Sequence, residues 1–199
     1  MVLQIKKLNL YRVSFFAAKV LDALSKMLES LAHKTYKSKP LEAIFLLNNY
    51  HYMLKFLKVP KIAAVVGADA VAQYTENVSI HSDNYHSSWK EVVQYLLEVN
   101  AGRSLIQGIT SDKQKTKDKF KGFNTEFEQL YEVQKTFSIP DPELRTHIRQ
   151  TIINMIVPLY AKFLERYANT NFTSNPSKYI KFTSIELESM LSKFFDTRS

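Results

Sequence analysis

The sequence predicts an all-α protein with helices turned back on each other, and three observations carry that expectation. Its 199 residues hold only four glycines and six prolines. No alternation of period two persists long enough to make a sheet, whereas apolar residues recur at spacings of three and four, one face of a helix. The third observation is the stretch from Lys117 to Arg145, which reads as a helix, a stop and a capped restart. Pro140 disfavours the α region at Ile139. Asp141 then stands where an N-cap carboxylate accepts backbone N–H groups, and Pro142 takes the first helical position, where no N–H is needed. Two helices turned back on each other follow from this.

Hydrophobic residues make up 45% of the chain and charged residues 23%, an ordinary globular balance sufficient for one sizeable domain or two small ones. Cysteine is absent, which excludes disulfides and thiolate metal sites and fits a reducing compartment. Apolar runs such as Ile44–Leu47 fall far short of the roughly 20 residues that span a membrane. Lys6, Lys7 and Arg12 precede an apolar VSFFAA, but Lys19 truncates that run and no small-residue cleavage site follows. The expectation is a soluble cytoplasmic protein. The net charge of +8 points to an anionic partner, and it is not polarised. Residues 1–100 carry 12 basic against 8 acidic side chains and residues 101–199 carry 15 against 11, so a binding site must be a local cluster.

Taken in order, Phe15 to about His33 is predicted as a helix with Phe16, Val20, Leu24, Met27, Leu28 and Leu31 on an inward stripe. Leu41 to Leu57 is apolar almost all round, as a central helix should be; its Asn48 and Asn49 read as amides completing interhelical hydrogen bonds more readily than as ligand contacts. After Val59-Pro60 and a short turn of helix over Ile62–Val66, Asp69 is expected to cap a long helix from Ala70 to about Glu98, kinked or frayed within 77–88. His81, Asp83 and His86 suggest a metal, but residues five apart on a helix point about 140° from each other, so the histidines do not converge.

Residues 100–110, with Gly102 and Gly108, read as a linker between a partial bundle over 15–99 and a C-terminal bundle over 111–199. Ser111 and Gln114 form a capping-box pair for the next helix. Its start carries Lys113, Lys115, Lys117, Lys119 and Lys121, which flank the face of Phe120, Phe123, Phe127, Leu130 and Tyr131. These lysines read either as a solvated helix start or as part of an anion-binding surface. A helix from Asp141 to about Tyr167 contains Pro158, expected to bend it by freeing the Asn154 carbonyl. After a polar loop, Thr183 and Glu186 form a T-x-x-E capping box, Phe182 is placed to staple onto Leu187, and Leu187, Met190, Leu191, Phe194 and Phe195 face inward. Lys178 and Lys181 are three apart and project from one side if 177–181 makes a helical turn. From spacing alone they are ordinary surface lysines.

Four stretches carry a family resemblance: AIFLLNNYHYMLK (43–55), KFKGFN (119–124), IPDPELR (139–145) and NPSKYIKFTSIELESMLSKFFDT (175–197). In this order they resemble the C-terminal region of the exocyst's seventy-kilodalton subunit, the exocyst complex component 7 family, over roughly residues 15 to 199. Residues 1–14 do not register with it, and Phe137 stands where the family often has Trp. The resemblance implies antiparallel helical bundles stacked end to end, the C-terminal part of a helical rod that tethers secretory vesicles to the plasma membrane in exocytosis. It also implies that the KYIK lysines, here Lys178 and Lys181, bind phosphatidylinositol 4,5-bisphosphate on the inner leaflet. At about 1 kcal/mol each, two lysines attach weakly, so Lys113, Lys115, Lys117, Lys119 and Lys121, or another anchor, would have to add to them. Other exocyst subunits and a Rho-family GTPase are the implied partners, and peripheral attachment to the plasma membrane the implied location. Family members extend far upstream, so an alternative is a truncated helical interaction module that does not assemble.

No catalytic constellation accompanies this pattern. GxGxxG and GxxxxGK are absent, and carboxylates fall at caps and exposed faces, so neither an enzyme nor a cofactor is expected. Nucleic-acid binding would rest on charge alone, as a non-specific basic anion binder, because the aromatics fall on core stripes.

Overall fold

The computed structural model describes residues 2–97, 110–167 and 170–196. Among them are eight α-helices: α1 (Val2–Thr35), α2 (Lys39–Leu57), α3 (Pro60–Val66), α4 (Ala68–His86), α5 (Lys90–Leu96), α6 (Thr110–Gln134), α7 (Pro142–Tyr167) and α8 (Ser184–Leu191). Short 3-10 turns cover Ser87–Trp89 and Pro176–Lys178, and no strand occurs among the described residues. The all-α expectation holds. Contacts divide the chain into two units, Met1–Tyr85 and His86–Ser199. The division therefore lies upstream of the expected linker at 100–110, most of which falls outside the described residues. The turn at Ser87–Trp89 and α5 belong to the second unit because Trp89, Val92 and Leu96 bury their side chains in its core.

In the first unit α1 and α2 run antiparallel. Glu29 accepts from the Tyr50 hydroxyl at 2.9 Å, while His33 lies 3.6 Å from Glu42, so positions rise on one helix as they fall on the other. Leu28, Ala32, Leu46, Tyr50, Leu54, Leu57 and Tyr74 form the core. The Tyr74 hydroxyl donates to the Leu21 carbonyl at 3.0 Å and lies 2.9 Å from Ser25 Oγ, which fixes α4 to α1.

Local expectations in this unit are corrected by the structure. The first helix begins at Val2, not near Phe15. Of its predicted inward stripe only Leu28 is buried and Leu24 packs partly, while Phe16, Val20, Met27 and Leu31 are exposed. Helical spacing identifies a face but not whether α2, α3 and α4 reach it. Asp69 lies inside the first turn of α4, which starts one residue earlier, after Gly67 has ended α3 with φ of 83°. The helix expected over 70–98, with a kink or frayed turn within 77–88, is broken at Ser87–Trp89, at the end of that segment.

The second unit is organised around the aromatic face of α6. Phe120 packs on Phe163 at 4.6 Å and Phe123 stacks on Tyr160 at 4.7 Å, so α6 and α7 are antiparallel, as the stop and restart between them require. Phe127 meets Trp89 and Phe182, and Tyr131 stacks on Phe194 at 5.4 Å. The restart is capped as predicted: Leu144 N donates to Asp141 Oδ1 at 2.9 Å. Ser111, by contrast, lies inside α6, which starts at Thr110, and Gln114 Nε2 donates forward to Asp118 at 2.8 Å. After α8 the backbone passes through the left-handed region at Phe195 (φ 62°), whose ring is buried. Arg149 holds this hook, with Nε donating to the Phe194 carbonyl at 3.1 Å and Nη2 to Asp196 at 2.8 Å.

Candidate anion-binding surface

The segment from Pro176 to Thr183 crosses the second unit between the 3-10 turn and α8. Tyr179 N and Ile180 N both donate to the Pro176 carbonyl at 2.9 Å, which closes one turn. Helical geometry stops there, and the chain runs irregularly to Thr183, already extended at φ −87° and ψ 162°. The premise that a helical turn over 177–181 aligns Lys178 with Lys181 is thus met only in its first half. Other contacts position them.

Tyr179 is the pivot. Its ring is buried and meets Phe172 edge-on at 5.8 Å. Its carbonyl accepts from Asn124 Nδ2 of α6 at 2.8 Å. Asn124 is only 3% exposed, so this bond is made out of water and fixes the backbone between the two lysines. Downstream, the Tyr160 hydroxyl donates to the Phe182 carbonyl at 2.8 Å. Burial pushes that phenol's pKa up, so it keeps its proton and remains a donor. Beyond it the capping box closes in both directions, Thr183 N to Glu186 Oε2 at 2.7 Å and Glu186 N to Thr183 Oγ1 at 3.1 Å. Accepting the Thr183 bonds holds the Glu186 carboxyl below its usual range.

The lysines occupy distinct settings. Lys178 is exposed. Lys181 Nζ donates to both carboxylate oxygens of Glu128, at 2.7 and 3.0 Å. Lys121 Nζ lies 5.8 Å from the centre of the Tyr179 ring, so α6 contributes a third cation beside the KYIK segment. Lys119 lies over Tyr167 instead, at 5.5 Å. Lys113 and Lys115 are exposed and Lys117 half-buried in the early turns of α6; Lys113 is eight residues, about 12 Å along the axis, from Lys121. Of the five lysines, Lys121 is the one that shares Tyr179 with the KYIK segment.

Sequence reading missed Asn124 and Glu128. A signal was present: Lys121, Asn124 and Glu128 are spaced three and four apart, one face of α6. Their partners lie 55 and 53 residues away, beyond the reach of local spacing.

The other candidates resolve differently. Asn49 Nδ2 donates to the Phe45 carbonyl at 2.8 Å within its own helix. His81 stacks on Tyr50 with ring centres 5.2 Å apart, and burial lowers its pKa. It lines a cavity of about 320 Å³ with Lys39, Glu42, Ala43, Leu46 and Asn84. Among the described residues no three His, Cys, Asp or Glu side chains gather as a metal site, and no helix is long and apolar enough to cross a membrane.

Comparison with known proteins adds a second line. The model of the family that comprises the C-terminal region of Exo70, an exocyst complex subunit, matches residues 7–193. Residues 7–14, expected to lie outside the resemblance, are therefore inside it. Human exocyst complex component 7 is 35% identical over 190 residues, 93% of this chain and 26% of that protein. Arabidopsis thaliana exocyst complex component EXO70A1 is 31% identical over 189 residues, 91% of this chain and 30% of that protein. The crystal structure of the Saccharomyces cerevisiae exocyst component Exo70p is similar in fold, with a TM-score of 0.59 and 23% identity over 80% of this chain and 27% of that one. The chain thus spans between a quarter and a third of the length of these relatives.

Proposed function

The chain belongs to the Exo70 C-terminal family of the exocyst complex, and on that premise we propose that it is a non-catalytic tethering module of exocytosis that binds phosphatidylinositol 4,5-bisphosphate on the inner face of the plasma membrane. The reading assigns the headgroup to Lys178 and Lys181, with Lys121 as a third contact. One observation carries it: the backbone between the KYIK lysines is clamped by a buried Asn124, while Lys178 stays in water and Lys121 stands over the same Tyr179 ring.

A surface organised this way loses little conformational freedom when an anion arrives. Each lysine close to an anionic leaflet contributes about 1 kcal/mol, screened by salt. Three supply about 3 kcal/mol, enough for weak peripheral attachment and strengthened by several sites in one assembly. Other exocyst subunits and a Rho-family GTPase are the proposed protein partners. Sedimentation with liposomes of matched surface charge, with and without the phosphoinositide, tests the reading. Lipid-dependent pelleting that is lost in Lys178→Ala/Lys181→Ala supports it; equal pelleting of both proteins rejects it.

A further inference from the structure

We propose that the outer face of α1 is a docking seam for an amphipathic helix of a partner protein, one whose apolar stripe is flanked by acidic residues. The seam lies within the first unit, and its role does not depend on lipid binding. More than half of the large hydrophobic side chains exposed among the described residues lie on α1. They are not scattered. Val13, Val20 and Met27 recur every seven residues, with Phe16 and Ala23 three places after the first two. That alternation of three and four is the a/d repeat of a two-helix seam. Val13, Phe16, Val20 and Met27 are between 47% and 70% exposed, and Ala23 is exposed with them. Another side of α1 is already partnered: Leu28 and Ala32 are buried in the core, and Leu21 and Leu24 pack against it. The seam is a second apolar stripe, beyond the one that folds the unit, and contiguous exposed apolar surface of this kind marks an interaction site.

Charge identifies the occupant. With Val13 as an a position, the g positions that border the seam are Arg12, Lys19 and Lys26, and His33 continues the row. The three permanent cations are exposed. Lys19 lies 5.6 Å from the centre of the Phe15 ring and Lys26 donates to Asp22 at 2.8 Å, both at the surface. The e positions on the opposite border are Ala17, Leu24 and Leu31, which carry no charge. The acids of α1 stand elsewhere: Asp22 and Glu29 are c positions, and Glu29 accepts from Tyr50 of α2.

Flanking charges select the partner of such a seam. A second copy of this chain brings no acid to the cationic border. Paired antiparallel, it sets g row against g row, like charge on like; paired parallel, it faces the cations with Ala17, Leu24 and Leu31. A basic amphipathic helix on an anionic bilayer embeds its apolar face, but here Leu21, Leu24 and Leu28 turn part of that face into the core of the unit. A helix with Glu or Asp at its own flanking positions matches both the apolar stripe and the cationic border.

The test follows the fluorescence anisotropy of two labelled synthetic helices, each about three heptads long, titrated with the whole chain at low ionic strength. Their a and d residues are identical and apolar; one carries Glu and the other Lys at every e and g position. The acidic helix is expected to bind about 10-fold tighter than the basic one, since each exposed ion pair contributes roughly 2- to 5-fold. High salt should close the gap. Phe16→Asp/Val20→Asp should remove binding of the acidic helix, and Arg12→Glu/Lys19→Glu should invert the preference. All four side chains are exposed, so both variants should match wild type in urea unfolding. Equal binding of the two helices, binding of neither, or binding that survives Phe16→Asp/Val20→Asp would overturn the proposal. Self-association of the chain in sedimentation velocity, lost in Phe16→Asp/Val20→Asp, would overturn it in favour of a second copy. Pelleting with phosphatidylserine vesicles that is lost in the same variant would overturn it in favour of the bilayer.

Discussion

Asn124 and Tyr179 are 55 residues apart in sequence and joined by one buried hydrogen bond of 2.8 Å from the Asn124 amide to the Tyr179 carbonyl. That bond ties α6 to the loop that carries the candidate lysines. The Asn124 Oδ1 atom is buried and has no hydrogen-bond partner among the described residues, so the side chain works as a donor.

Removing the donor leaves a carbonyl unsatisfied, at a cost of about 1–3 kcal/mol. Asn124→Ala is therefore expected to destabilise the protein by that amount in urea unfolding and to weaken vesicle binding although no charge changes. Asn124→Asp should be worse, since it turns a carboxylate toward the same carbonyl. Unchanged stability in Asn124→Ala would show that the loop is held by its aromatic contacts alone.

Gly122 offers a test of packing between α5 and α6. A Cβ built on it would overlap the Tyr95 ring at Cε1. Alanine in a helix interior gains about 1 kcal/mol over glycine, whereas forcing a side chain aside costs about 1–3 kcal/mol. Gly122→Ala should be destabilising on balance. In a Tyr95→Ala background the same change should become neutral or stabilising, and a double-mutant cycle reads the difference.

The two faces of α1 should respond oppositely. Leu28 is 8% exposed and Met27 is 57% exposed. Leu28→Ala should cost about 2–5 kcal/mol, while Met27→Glu should stay within about 0.5 kcal/mol of wild type. A large loss in Met27→Glu, measured by urea unfolding of the isolated chain, would show that this face is covered.

His81 predicts the acid side of the stability profile. Burial against Tyr50 lowers its pKa from 6.5, outweighing the opposite pull of Glu29 and Glu42. The unfolded chain then binds the proton more readily than the native one, so stability is complete above about pH 6.5 and falls as pH drops toward the native pKa. Glu42 and Glu186 have pKa values lowered from 4.5, so their contributions are lost only at lower pH. Urea melts between pH 7.5 and 5 should show the decline, and His81→Phe, which keeps a ring on Tyr50, should flatten it. An unaltered profile in His81→Phe would assign the decline to other groups.

Much of this architecture was legible because its causes are local. The Asp141 cap, the Thr183–Glu186 box and the aromatic face of α6 each rest on residues within a turn or two of one another, and all three form as expected. The errors share a physical origin. Phe16, Val20, Met27 and Leu31 lie on a helical stripe, but burial depends on neighbours that helical spacing does not specify. A break within 77–88 was expected, but its place at Ser87–Trp89 goes with the burial of Trp89 against Phe127 and Phe194, a tertiary contact. At the candidate site the family resemblance pointed to Lys178 and Lys181. The contacts that Asn124, Glu128 and Lys121 make with that loop emerge only when α6 is placed beside it.

The most direct test of the proposed membrane site is a comparison of two triple variants that remove the same charge. Lys121→Ala/Lys178→Ala/Lys181→Ala and Lys113→Ala/Lys115→Ala/Lys117→Ala would be titrated with phosphatidylinositol 4,5-bisphosphate vesicles at constant ionic strength. The first should lose about 3 kcal/mol of binding, more than 100-fold, on the basis of about 1 kcal/mol per lysine. The second should lose less than about 3-fold, through general charge alone. Equal losses in the two would mean that diffuse positive charge, and not the cluster around Tyr179, holds the membrane.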